Sequence, residues 1–149
     1  MQATENEVIP GLVVRLDTTV LRTIGGCETN AERAPAGDRA VVGTHDFLIV
    51  AIDSETARCT AVPLFAKSAV GNEPLDAGKK TGDGSDWMGS SSFFSHWQHW
   101  RMPVASVVAA SASDDATPET RRRYATGDSS TLDDVRNWEG RNRSPYRGA

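Results

Sequence analysis

The chain has little of several things. Only Cys27 and Cys59 are present among its 149 residues. Two cysteines are too few for a disulfide scaffold, and they are not spaced as CxxC. Two reduced thiols, or one bridge if the residues meet across neighbouring strands, are the readings left open. No run approaches the ~18 to 20 apolar residues of a membrane-spanning helix. The first residues, MQATENEVIP, carry acids where a secretory leader needs a basic flank and an apolar stretch, so a cytoplasmic protein is expected.

Positive charge is also scarce. The net charge is -4, which argues against a dominant nucleic-acid footprint. The exception is the C-terminal arm, where Arg121, Arg122 and Arg123 are adjacent and Arg136, Arg141, Arg143 and Arg147 follow. Such an arm is either a solvated tail or a contact for phosphate or an acidic partner surface. The hydrophobic share of 38% and the mean hydropathy of -0.42 are low, which leaves room for long loops around one core.

What is there reads as β-structure. Residues 8–16 (VIPGLVVRL) suit a short strand. Residues 40–52 contain FLIVAI with little alternation, the pattern of a strand buried on both faces. A polar turn at 53–57 leads into RCTAVPL at 58–64, so the two runs form a hairpin with Pro63 near an edge or strand end. Residues 25–39 and 69–92 are long Gly-rich, polar loops. The i, i+4, i+7 spacing of Phe93, Trp97 and Trp100 predicts a short aromatic helix, capped by Ser90, Ser91 or Ser92 and ended by Pro103. VASVVAA at 104–110 is read as a strand. The arm at 119–139 has helix formers with a thin apolar stripe, and the last ten residues are expected to be disordered. The expectation is mainly β: residues 1–139 as one small, partly open barrel with a helical or disordered C-terminal arm, and 140–149 as a tail.

Motifs of known chemistry are weak. His96 and His99 stand three apart, and with Asp86 or His45 they resemble part of a metal site; the spacing lacks the built-in base of HExxH, and no metal or other cofactor is expected. A Ser-His-Asp set from Ser68 or Ser90 with His45 and Asp46 has no GxSxG elbow to expose its nucleophile. GNEPLDAGKKTG lacks phosphate-loop spacing, and DGSDW lacks the closing Glu of a calcium loop. Trp87 sits in a Gly/Ser loop outside the aromatic spacing, which marks it as a contact residue, with Arg101 as its cationic neighbour.

The order Pro10-Gly11-Leu12-Val13-Val14, loop 25–39, HDFLIVAI at 45–52 and CTAVPLFAKS at 59–68 resembles the PemK/MazF-like family of toxin barrels. The resemblance covers about residues 10–75. It implies an SH3-like barrel, a homodimer, an antitoxin as protein partner and cleavage of single-stranded RNA without a metal. The family places an Arg before the central strand and a Ser or Thr after the Pro motif. Here Thr44-His45-Asp46 stands at the first position, so the catalytic set it implies is His45 as acid or base, Lys67 as cation and Ser68 as hydroxyl.

Two functions follow as expectations. One is a binding module for a macromolecular partner, a protein, engaged through Trp87, Arg101 and Arg121 to Arg123. The other is a toxin-like ribonuclease that uses His45, Lys67 and Ser68 on RNA.

Overall fold

A computed structural model describes residues 2–31, 40–68, 72–95, 98–112, 116–126 and 144–146. Chain order gives β1 (Val13–Asp17), α1 (Thr18–Ile24), β2 (Glu28–Thr29), β3 (Thr44–Asp53), β4 (Arg58–Phe65), β5 (Asn72–Pro74), β6 (Lys80–Thr81), α2 (Ser85–Gly89), β7 (Phe93–Ser95), β8 (Trp100–Pro103), α3 (Val104–Ala110), β9 (Arg123–Tyr124) and β10 (Ser144–Pro145). The architecture is mainly β, as the sequence predicts. Eight strands form one antiparallel sheet in the order β1-β3-β4-β8-β2-β10, with β7 paired to both β4 and β5. β6 and β9 form a separate pair. Among the described residues the sheet is not closed into a barrel.

β3 is central because FLIV has an apolar side chain for each face. Phe47 and Ile49 point into one core layer with Leu16, Met102, Val107 and Trp100. Leu48 and Val50 point into a second layer with Val62, Leu64, Trp87, Phe94 and Tyr124. The β3–β4 hairpin turns on Asp53, whose carboxylate accepts from the Glu55 and Thr56 amides at 3.0 and 3.4 Å. β4 changes partner along its length. Residues 58–61 pair with β8, and Leu64 and Phe65 pair with β7. Pro63, which has no N–H to donate, sits at the changeover.

Several expectations are corrected. Phe93 and Trp100 do not share a helix: they lie on β7 and β8, with Trp97 outside the described residues. The deciding pattern is period two, since Trp100 and Met102 are buried while Arg101 and Pro103 are half-exposed. Pairing of β8 with both β4 and β2 overrides a helical spacing that occurs by chance. Residues 104–110 form α3 rather than a strand. Pro103 precedes the first turn, and Val107 and Ala110 bury an i, i+3 face. A seven-residue apolar run is ambiguous by period alone. Third, residues 144–146 are not a disordered tail: β10 pairs with β2, and Tyr146 packs at a tilt of 51° against Trp100 with ring centroids 4.5 Å apart. Within the arm, β9 stands where helix was expected, and residues 127–139 lie outside the described set. The loop 69–92 also contains order, namely β5, β6 and α2.

The outer edge of β1 is only partly covered. Val13 donates its N–H to the Arg122 carbonyl at 2.9 Å, and Ala112 donates to the Arg15 carbonyl at 2.8 Å. Gly11 makes the first of these closures possible. It holds a φ of +101°, and any Cβ there would meet the Tyr124 carbonyl oxygen at 2.5 Å.

Candidate functional site

A cleft of about 530 Å3 opens where β1, β3 and the end of β4 face the segment running from α2 to β7. His45 stands in it at the start of β3. Its Nε2 donates to the Leu64 carbonyl at 2.7 Å, which leaves Nδ1 as the nitrogen with a lone pair. The ring packs edge-on against Phe65 at 5.4 Å and Phe47 at 5.9 Å. Burial pushes the imidazole below its ordinary range, and the Arg15 charge adds to that; the Leu64 carbonyl and Asp46 oppose it without reversing it. His45 is therefore a neutral base near pH 7.

Two arginines line the same cleft. Arg15 is opposite Asp46 in the β1–β3 register, is exposed, and has no ion-pair partner among the described residues. Arg122 reaches Asp46 from the segment beyond β1, and its Nη2 donates to Asp46 Oδ1 at 2.9 Å. Asp46 thus tethers one cation and leaves the other open to a ligand.

The far wall is Trp87 and Ser90 to Ser92. Lys80 sets its shape. The buried ammonium donates to the Trp87 carbonyl at 2.9 Å, the Ser90 carbonyl at 2.8 Å and Ser92 Oγ at 3.0 Å, which uses all three of its protons. Burial lowers its pKa from the ordinary lysine value. Trp87 is a correction to its expected role. It is 5% exposed, and its indole N–H is given to the Thr81 carbonyl at 2.9 Å, so it serves the core and the wall rather than an outer contact surface.

The other predicted residues scatter. Lys67 and Ser68 are exposed after β4 and do not line the cleft, whereas Ala66 does. Arg101 pairs with Asp53 at 3.4 Å on a different, open face beside Arg58 and Thr60. Arg121 is buried. It donates Nε to Glu7 at 2.6 Å and Nη2 to the Gln2 carbonyl at 3.0 Å, which removes it from any partner-binding surface. Arg123 is half-buried on β9, and its Nη1 is buried without a hydrogen-bond partner among the described residues. His99 is buried and His96 lies outside the described residues; among those described, no cluster of three metal-ligating side chains occurs. Cys27 and Cys59 are free thiols. Cys59 faces Met102 across β4–β8, and Cys27 precedes β2 on the far side of β8. Two strand spacings, ~9 to 10 Å, exceed what a disulfide spans.

Arg15 is the residue that sequence reasoning missed. It is the one polar residue in the run VVRL, yet only the β1–β3 register shows that it stands beside Asp46 and His45. Among the described residues, no helix is long and apolar enough to cross a membrane. Comparison of the chain with protein-family models, with curated protein sequences and with solved structures finds no match.

Proposed function

We propose that the His45 cleft binds single-stranded RNA and that His45 is the base that begins its cleavage, with no metal required. The observation that carries this is one neutral imidazole in a cleft whose lining also includes two guanidinium groups, Arg15 and Arg122. RNA carries its own nucleophile, the 2′-hydroxyl, so the protein needs only to take that proton and stabilise charge at phosphorus. Nδ1 of His45 takes the proton, the 2′-oxygen attacks, and the 5′-oxygen leaves with a proton returned from the imidazolium or from water. Arg15 and Arg122 hold the phosphorane oxygens, a task suited to planar, permanently charged forks. The family resemblance of residues 10–75 agrees with this reading, and in place of Lys67 and Ser68 the cations come from β1 and the segment before β9. The homodimer that the resemblance implies belongs to the same proposal.

A second reading has its own support. Arg58, Arg101, Arg121 and Arg122 are each paired with a carboxylate, and the net charge is -4. Those features favour a binding module whose partner is a protein, with Arg15 accepting a partner carboxylate in the same cleft.

Incubation of the purified protein with end-labelled single-stranded RNA in a chelator separates the two. The ribonuclease reading expects products ending in 2′,3′-cyclic phosphate, and a loss of ~10²-fold or more in rate for His45→Ala. Intact RNA that also fails to bind overturns it and leaves the protein partner.

A further inference from the structure

A second cavity of about 340 Å3 adjoins the cleft and shares two of its walls, Arg15 and Arg122. It lies along the outer edge of β1, beneath the two closures that fasten that edge. Val13 N–H is bound to Arg122, and Arg15 C=O accepts from Ala112. Between those closures, the Val13 carbonyl and the Arg15 N–H point to the same side, because the register with β3 leaves residues 13 and 15 outward-facing. Neither has a hydrogen-bond partner among the described residues. Among the described residues the gap therefore offers one acceptor and one donor.

An added β-strand does not fit, because the edge is closed at both ends. A flat group with a donor beside an acceptor does fit, and the Watson–Crick edge of every nucleobase is such a group. The cavity is lined with Leu12, Val13, Val14 and Ala112 for the faces of a ring. Arg15 and Arg122 stand at the junction with the cleft, where a phosphate attached to that base would lie.

We infer that this cavity is a nucleobase subsite, read through the main chain of Val13 and Arg15, and that the RNA crosses the Arg15–Arg122 wall with its phosphate on those residues. The inference rests on the RNA reading of the His45 cleft and adds where the neighbouring base goes. Main-chain groups that offer one donor and one acceptor suit more than one base, so weak sequence preference follows.

Calorimetric titration of the full chain with AMP, UMP, ribose 5-phosphate and inorganic phosphate tests it. Two hydrogen bonds and ring contact predict that the nucleotides bind about tenfold tighter than ribose 5-phosphate. Ala112→Trp and Ala116→Trp, which fill the chamber and leave both arginines in place, should bring nucleotide affinity down to that of ribose 5-phosphate while phosphate binding stays. Equal wild-type affinity for AMP, UMP and ribose 5-phosphate overturns the subsite and spares the cleft. Failure of all four ligands and of single-stranded RNA to bind overturns both. The wild-type comparison decides the matter even if the tryptophan variants do not fold.

Discussion

The ammonium of Lys80 lies over the ring of Trp87, with Nζ 4.4 Å from the ring centroid. It also donates to the Trp87 carbonyl, the Ser90 carbonyl and Ser92 Oγ. One side chain thus ties β6 to the segment that faces His45.

Replacing Lys80 by Met keeps most of the stem and removes the three donors. Buried acceptors left unmade cost ~1 to 3 kcal/mol, so the variant should lose about that much in denaturant unfolding. Ligand binding in the cleft should weaken as well, because Ser90 to Ser92 lose their anchor.

Glu7 and Arg121 form a buried ion pair that holds the N-terminal segment to the stretch just before β9. Burial on its own would raise the Glu7 carboxyl, but hydrogen bonds from Arg121 and Thr4, with the guanidinium charge, bring it below the ordinary value. Removing one partner, as in Glu7→Ala or Arg121→Ala, leaves a buried charge and should cost ~3 to 5 kcal/mol. A carboxyl lowered in the folded state contributes stability above its unfolded pKa of 4.5 and loses it as pH falls through the folded value. Wild-type stability followed below pH 5 should fall more steeply than that of Glu7→Gln.

His45 has the same sign. Its folded pKa is below 6.5, so above that pH both states are neutral and its contribution is intact. As pH drops under 6.5 the unfolded imidazole takes a proton first, and stability declines until the folded pKa is passed. An NMR titration of the ring should give a midpoint under 6.5. Any cleavage should keep its rate down to that midpoint.

Cys27 and Cys59 are buried, and burial pushes both thiols up to about 12, with the neighbouring sulfur adding to Cys27. Thiolates are the reactive form, so at pH 8 a thiol reagent should modify neither residue in the native protein and both after unfolding. The mass should show no disulfide.

Much of the fold is legible in the sequence because it is local. FLIVAI has apolar side chains for two faces, DSETA closes the hairpin, and Pro63 marks a break in pairing. The segment 93–110 is misread because its periods are short and conflicting. Phe93, Trp97 and Trp100 match a helix by spacing, yet β8 is fixed by partners forty residues before it in β4. VASVVAA is the reverse case, a strand by composition and a helix by what it covers. The site is less legible. His45 is visible as an odd residue before a central strand, but Arg15 and Arg122 join it only through register and through a bond to Asp46. Trp87 and Arg121 look like surface residues because nothing local reveals Thr81, Lys80 or Glu7 as their partners.

The most direct test of the His45 cleft as the RNA site is amide NMR mapping of the full chain with a short single-stranded RNA at moderate salt. Shifts concentrated at Arg15, His45, Asp46, Ser91 and Arg122 are the predicted result. Shifts centred on Arg58, Thr60 and Arg101 instead, or none at saturating RNA, would contradict the account.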